Sequence, residues 1–550
     1  MDNYDISNAL GTYAKLAELH DENPFKVKAY AAAAFNIKKI KDPLASMTEA
    51  DLDKVPGVGK SVIGAIRTLL STNTFPDLQK LKDSTPPGVL DILRIKGLGP
   101  KKVKGIWKNM GIESVEDLFN ACRENRLVEQ PGFGLKTQSE VLKAIEFSWN
   151  AAGKYHFARV QKPASELLKL LQTALPNERF EFTGEFRRCC DTIEEVEILT
   201  TAAATQVNEI LTASGFVFEA GLFRDSAAFK YRVSYVLESD FDKTRFESSA
   251  SKAHLTTIGY NSAAPFESEE ALYKALDLPY IVPEMREGGG EVEWAKAANL
   301  GSLLEFKDLK GSIHNHSTYS DGLHSLTEMA EYCKSIGYEY LGICDHSKSA
   351  GYAGGLSVER VIQQWAEIDK LNAELGNFKI IKGIESDILG DGSLDYDNEI
   401  LAGFELVVAS VHSNLKMDKE RANARLKKAI ENPYTHVLGH PTGRLLLVRE
   451  GYPIDHAYII DACAANGVCI EINANPFRLD LDWRWIGYAM EKGVMLSINP
   501  DAHEKTALND MYYGTVSARK GGLTKEMTLN ALSLADLMLW LQNKRSIHTL

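Results

Sequence analysis

Between residues 311 and 498, seven short apolar runs alternate with stretches of helical periodicity, and this alternation limits the fold more than any other feature of the chain. The runs are Gly311 to His314, Tyr340 to Cys344, Lys379 to Ile384, Leu406 to Val411, His436 to Leu438, Val468 to Ile472 and Val494 to Ile498. Continuous apolar runs are the mark of strands buried on both faces, and strand–helix alternation requires parallel pairing through crossovers. Seven such units predict a β/α barrel.

Residue types that bind metals stand at the ends of these runs. His314 and His316 follow the first, Asp345 and His346 the second, Glu385 the third, His412 the fourth, His440 the fifth, and Asp501 and His503 the last. Asp321 trails His316 by five positions. Barrel active sites form at the C-terminal ends of the strands. A single histidine there usually makes a loop hydrogen bond, but six at one end, with carboxylates among them, predict a metal cluster. Mixed imidazole and carboxylate ligation suits manganese, zinc or iron. His324, His436, His456 and His548 lack this placement and are expected to be structural. Arg444, Arg449 and Arg478 lie just beyond ligand-bearing strands, where guanidinium groups can clamp phosphates, and Lys348 is a weaker candidate.

The N-terminal part reads as helices, beginning with two over residues 5 to 40 that break at Asn23-Pro24. The first carries Ile6, Leu10, Tyr13, Leu16 and Leu19 on one face. A repeat then sets in, with Gly57-Val-Gly59, Gly97-Leu-Gly99 and Gly132-Phe-Gly134 each lying between helical stretches. Such turns need glycine for positive φ and leave the next helix's first amides free for a phosphate. Lys60 and the Lys101, Lys102 and Lys104 group follow the first two turns, and Lys136 the third. These are helical hairpins suited to holding a nucleic-acid backbone without reading bases.

The net charge of −13 does not contradict this, because the first 150 residues carry 21 Lys and Arg against 19 Asp and Glu. The acidic excess belongs to the rest of the chain. No run of about 18 apolar residues occurs and the N-terminus is polar, so neither secretion nor membrane spanning is expected. Seven cysteines lack CxxC pairing, and Cys333, Cys344, Cys463 and Cys469 sit in apolar stretches, pointing to a reducing cytoplasm.

Residues 23 to 30, Asn-Pro-Phe-Lys-Val-Lys-Ala-Tyr, and the hairpins that follow resemble the N-terminal region of bacterial X-family DNA polymerases. The resemblance continues through Gly184-Glu-Phe-Arg-Arg188, the strand Ile193 to Leu199, and Leu278 to Glu287. It covers 309 to 550 as well, where Gly439-His-Pro-Thr-Gly-Arg-Leu445, Glu471 to Leu479 and Asn499-Pro-Asp-Ala-His503 resemble the PHP (polymerase and histidinol phosphatase) domain fused to those polymerases.

The resemblance implies a multidomain chain. Residues 1–85 would form a helical domain with the first hairpin, 86–150 helical fingers with the others, 151–240 an α+β nucleotidyltransferase-like palm, 241–290 a thumb, 291–308 a linker, and 309–550 a distorted (β/α)7 PHP barrel. It also implies three divalent ions: one held by His314, His316, Glu385 and Asp501, a second by Glu385, His412 and His440, and a third by Asp321, His346 and His503, with manganese as the activating ion. Such a site neutralises a phosphodiester's oxygens, activates a water and stabilises the leaving 3′-oxygen.

The palm departs from the family. Its serine position is Glu185, its two paired aspartates are Glu195 and Glu197, and its third aspartate falls in Phe229 to Val236, which has no carboxylate. Two-metal phosphoryl transfer tolerates little displacement, so nucleotidyl transfer is expected to be lost, with Glu195 and Glu197 on an ordinary solvated strand face. Ala65 stands where a Schiff-base lyase lysine would lie, so lyase activity is not expected. The leading expectation is a cytoplasmic, monomeric, metal-dependent 3′–5′ exonuclease in DNA repair, acting on gapped, nicked or 3′-ended DNA, with cutting at abasic sites as a further activity. The alternatives are a gap-filling polymerase using Glu195 and Glu197, and a phosphatase for small monoesters.

Overall fold

The computed structural model describes residues 1–550 except 41, 124–125, 264–265, 298–301 and 547–550, so His548 lies outside the described residues. The chain forms two compact units, Met1–Ala152 and Gly153–Leu550.

The first unit is helical. Asp2 caps the helix Asn3–Leu19 with a capping box, and Asn23 caps Pro24–Ile37. Ile6, Leu10, Tyr13, Leu16 and Leu19 are all buried, as their spacing predicts. The three hairpin turns are built alike. Val58, Leu98 and Phe133 donate their amides to the carbonyls of Val55, Ile95 and Gln130, at 3.0, 3.2 and 3.1 Å. Gly57, Gly97 and Gly132 take φ of 83°, 89° and 87°, which the third position of such turns requires. Val58, Leu98 and Phe133 point into the core while the glycines on either side stay exposed. Each second glycine, Gly59, Gly99 and Gly134, precedes a helix, Lys60–Thr72, Pro100–Met110 and Leu135–Ala151 respectively. None of the three helix starts has a side-chain cap.

The second unit begins with a five-stranded sheet: β1 (Phe180–Thr183), β2 (Val196–Thr200), β3 (Val217–Glu219), β4 (Leu222–Arg224) and β5 (Lys230–Tyr235), in the order β1-β2-β5-β4-β3. β2 and β5 are parallel and the other pairs antiparallel. The predicted strand over Ile193 to Leu199 is interrupted at Glu194 and Glu195, and only its second part joins this sheet. Short helices from Phe241–Ser248 to Glu291–Ala297 follow, with their own core around Phe246, Tyr273 and Ile281.

The barrel strands are β6 (Gly311–Ser312), β7 (Tyr340–Ile343), β8 (Lys379–Asp387), β9 (Leu406–Ser410), β10 (Val437–Leu438), β11 (Cys469–Asn473) and β12 (Leu496–Asn499), each parallel to the next. The predicted seven strands are therefore present. Alternation along them sorts the core. Leu406, Val408, Val437 and Cys469 pack with Tyr340 and Ile381 inside the barrel, where Leu537 and Leu541 of the C-terminal helix join them. Val407, Ala409, Leu438 and Ile470 face the outer helices. Asn530, fully buried, fills the gap between the first and last strands. It accepts from the Ile498 amide at 2.7 Å and donates to the Gly311 carbonyl at 3.0 Å.

The region that holds the five-stranded sheet, where the palm is expected, meets the barrel through ionic contacts and hydrogen bonds. Lys520, almost fully buried, donates to Glu287 at 2.5 Å and to the Arg188 carbonyl at 3.0 Å. Arg444 reaches Asp191 at 3.4 Å, and His156 Nε2 lies 2.9 Å from the Leu446 carbonyl. All seven cysteines are free, and no helix among the described residues is long and apolar enough to cross a membrane.

Candidate metal centre

The inward-facing side of each strand carries apolar residues at the bottom of the barrel and metal-binding types at the top. Stepping by two from Ile381 leads to Glu385, from Val408 to His412, and from Tyr340 to His346. The same alternation from Ser497 through Asn499 reaches Asp501 and His503. Glu385 lies within β8 rather than after it, because that strand extends three residues beyond the apolar run. Asp501 and His440 adopt φ of 53° and 21°, in the left-handed region that non-glycine residues rarely occupy outside sites that need it.

Glu385 is the hub, buried to about 1% exposure of its side chain. Its Oε1 lies 3.0 Å from His440 Nε2, 3.1 Å from His412 Nε2 and 3.4 Å from His314 Nε2. Its Oε2 lies 2.9 Å from His346 Nδ1 and 3.7 Å from His316 Nε2. Asp501 Oδ1 adds a second carboxylate, 2.9 Å from His316 Nε2 and 3.8 Å from His314 Nε2. At the outer edge, Asp321 Oδ1 stands 3.3 Å from His503 Nε2 and 3.5 Å from His346 Nε2. The nine predicted ligand residues therefore converge on one rim.

Three ligand groups have atoms close enough to share an ion: His316, Asp321, His346 and His503; His314, His316 and Asp501; and His346, Glu385 and His412. They overlap the three sets the resemblance implies, but His316 and His346 each fall in two groups, Glu385 falls only in the last, and His440 falls in none, lying 3.0 Å from Glu385 and with its ring beside those of His314 and His412. The donors fit cations. His314 Nε2, His316 Nδ1, His440 Nδ1 and Glu385 Oε2 are buried without a hydrogen-bond partner, an expensive arrangement unless an ion completes it. Against burial, which favours the neutral acids, the surrounding imidazoles hold Glu385 and Asp501 well below the usual carboxylate range, so both are ionised. Burial, helped by His503 and His346, pushes His316 down to about 3, leaving the neutral ring a ligand must present. Against burial, Glu385 and Asp387 raise His412 to about 10, and the carboxylates that hold that proton attract cations in the same way.

Outside the ring lie residues the sequence reading missed. Glu471 Oε2 is 2.6 Å from His314 Nδ1, and Asp387 Oδ1 is 2.6 Å from His412 Nδ1, so each fixes its imidazole with Nε2 toward the cluster. A carboxylate inside an apolar strand is the signal that betrays them. Glu471 stands in Cys469–Asn473 and Asp387 ends Lys379–Asp387. Asp345, a ligand candidate by position, is instead turned into the first loop. It accepts the Ser317 amide at 2.8 Å, the Ser317 hydroxyl at 2.6 Å and Gln364 at 2.6 Å, and so shapes the stretch that carries His316.

The three arginines part company. Arg478 donates to Asp501 Oδ2 at 3.0 Å and stands at the cluster. Arg449 donates to the Gly443 carbonyl at 2.7 Å. Arg444, expected as a phosphate clamp, gives its guanidinium to Asp482, Asp191 and the carbonyls of Arg478 and Leu479, which makes it a brace between palm and barrel. Lys348 has its ammonium over the Tyr396 ring. His436 is buried with its Nδ1 accepting the Val407 amide, and His456 stacks on Trp485; neither is among the groups gathered at the rim.

Among the described residues, the palm contains no counterpart of the rim. Glu195 and Glu197 are half-buried rather than on a solvated face. The register places Arg232 of β5 opposite Glu197, and Arg232 binds both oxygens of Glu195. Glu185 accepts the Glu194 amide at 2.9 Å. Arg187 pairs with buried Glu269 at 2.6 Å and Arg188 with Glu287 at 3.1 Å.

A unit of repeated helical hairpins and a barrel whose rim gathers histidines and carboxylates suited to divalent ions stand in one chain. Residues 1–75 match a helix-hairpin-helix domain, 89–146 a SAM-like helix-hairpin-helix tandem, and 312–475 a PHP domain. The chain is 35% identical to the DNA polymerase/3′-5′ exonuclease PolX of Bacillus subtilis (strain 168), over 98% of this chain and 99% of that one. A probable phosphatase of Thermoanaerobacter sp. (strain X514) is 26% identical over 40% of this chain and 88% of its own length. The chain belongs to the bacterial X-family DNA polymerases that carry a C-terminal PHP domain.

Replacing Glu471 with glutamine should weaken manganese binding by about 10- to 100-fold, because His314 loses the anion that orients it. Titration of metal-stripped protein followed by calorimetry measures this, with Glu471→Gln compared against the parent chain.

Proposed function

We propose that the chain is a metal-dependent 3′–5′ exonuclease acting on DNA ends, with its single reacting centre at the barrel rim. The observation that carries this reading is Glu385, whose two buried oxygens face five imidazoles at the mouth of the barrel. In the proposed assignment, three divalent ions, manganese, zinc or iron, are held by His314, His316, Asp321, His346, Glu385, His412, His440, Asp501 and His503. Bound there, they supply Lewis acidity and a water acidified enough to attack a phosphodiester near neutral pH.

The chain's own groups do the rest. Glu471 and Asp387 keep His314 and His412 in one tautomer, with Nε2 inward. Arg478, already against Asp501, is placed to neutralise a non-bridging phosphate oxygen, and Arg449 is its second candidate. Gly57, Gly59 and Lys60, Gly97, Gly99, Lys101 and Lys102, and Gly132 and Gly134 hold the DNA backbone through uncapped helix amides and ammonium groups.

The Bacillus relative's name includes a polymerase as well as an exonuclease. In this chain the palm argues for the exonuclease alone. Arg232 neutralises Glu195 where a third metal-binding carboxylate would be needed, and Glu185 adds negative charge where a triphosphate would bind. Arg187 and Arg188, the cations nearest that position in sequence, are already paired. A monoesterase remains the second reading, favoured by the likeness of the barrel part to the Thermoanaerobacter phosphatase.

His440→Ala should lower manganese-dependent release of nucleotides from a 3′-labelled duplex at least 100-fold while leaving duplex affinity within about twofold. Full activity at full metal content would remove His440 from the ligands, and turnover of small monoesters with an inert duplex would favour the phosphatase. Neutralising Lys60, Lys101 and Lys102 together should weaken duplex binding and reduce the slope of log affinity against log salt by about 2 to 3, as lost phosphate contacts do. An unchanged slope would place the DNA elsewhere.

A further inference from the structure

We propose that Tyr352 forms a nucleobase subsite at the rim of the metal centre, stacking on the base of the 3′-terminal nucleotide. The proposal rests on the nuclease reading above. Tyr352 sits on a single 3-10 turn, Gly351–Ala353, and is 67% exposed. Its ring centroid lies 6.2 Å from that of His346, at an interplanar angle of 54°.

Exposure alone would carry no weight, since isolated surface aromatics are common. What distinguishes Tyr352 is a rigid tie to a metal-ligating histidine. The turn is anchored on both sides: Ala350 and Ala353 are buried, and the Leu356 amide donates to the His346 carbonyl at 2.9 Å. The Gly355 amide returns to the Ala350 carbonyl at 3.1 Å, and Arg360 holds the Gly354 carbonyl at 2.9 Å. The backbone that carries the ring is thus fixed relative to His346, while most of the side chain's surface stays in water.

Other candidates near the rim are already engaged. Phe477 meets His156 of the palm edge-on at 4.8 Å, and Lys348 lies over Tyr396 at 5.3 Å. Among the described residues, His346 is the only ring within reach of Tyr352, which leaves the remaining face for a ligand.

A base and its phosphate are covalently joined, so a phosphate held at the ions brings its base to the rim. An aromatic platform grips any of the four bases, because each offers a π-face, and this suits an enzyme that must remove nucleotides in sequence without reading them. The subsite therefore contributes to binding of the end and to register, without discriminating among bases.

The test uses the full chain with manganese and two oligonucleotide duplexes, one ending in a normal 3′ nucleotide and one in a tetrahydrofuran residue that lacks a base. The parent chain should prefer the base-bearing end by roughly tenfold in kcat/KM. Tyr352→Ala should bring that ratio close to one, and Tyr352→Phe should keep it. A ratio unchanged in Tyr352→Ala, with the parent active on both ends, overturns the subsite and leaves the nuclease reading standing. A parent chain inert on both overturns the nuclease reading itself. A second readout does not need turnover: in a His440→Ala chain, a 3′-terminal 2-aminopurine should lose emission on binding through stacking. That quenching should vanish when Tyr352→Ala is added and persist with Tyr352→Phe, and its persistence in the alanine variant also overturns the subsite.

Discussion

Five imidazoles packed around one buried carboxylate is the constraint on which the rest of the C-terminal unit depends. Glu385 cannot be buried ionised without compensating charge, and the rings around it leave several nitrogens without hydrogen bonds. Divalent ions answer both demands at once. The barrel is built to hold these groups in place. The inner faces of its strands are apolar below, tied by Asn530 at the open seam, and present ligands above. Glu471 and Asp387 add a further ring of anions that orients the histidines from behind.

The palm shows the opposite tendency. Groups that would serve nucleotidyl transfer are engaged with one another or with their neighbours: Arg232 with Glu195, Arg187 with Glu269, and Arg188 with Glu287. Meanwhile the palm presses against the barrel loops through Asp191 and Arg444, and Arg444 also holds the carbonyl of Arg478, whose side chain supports Asp501. These contacts tie the palm to the loop between β11 and β12 beside the metal rim.

Much of this was legible in the sequence, for identifiable reasons. Strand periodicity places Glu385, His412 and Asp501 on inward-facing positions once the strands are found, and the glycine pairs fix the hairpin turns because positive φ admits few other residues. Side-chain partnership was not legible. Nothing in the spacing of Arg444 tells that it faces Asp191, 253 residues away, rather than a phosphate. Asp345 follows a strand as the true candidates do, yet turns back to organise Ser317 and Ser320. Glu195 and Glu197 looked solvated because the partner strand, with Arg232, comes from a later part of the chain.

The most direct test of a single reacting centre at the barrel is a paired assay on gapped DNA with manganese, following nucleotide release and nucleotide incorporation by the full chain and by Glu385→Gln and Glu197→Gln variants. The account predicts release by the parent and by Glu197→Gln, loss of release in Glu385→Gln, and no incorporation by any of the three. Incorporation by the parent that survives Glu385→Gln and disappears in Glu197→Gln would contradict it.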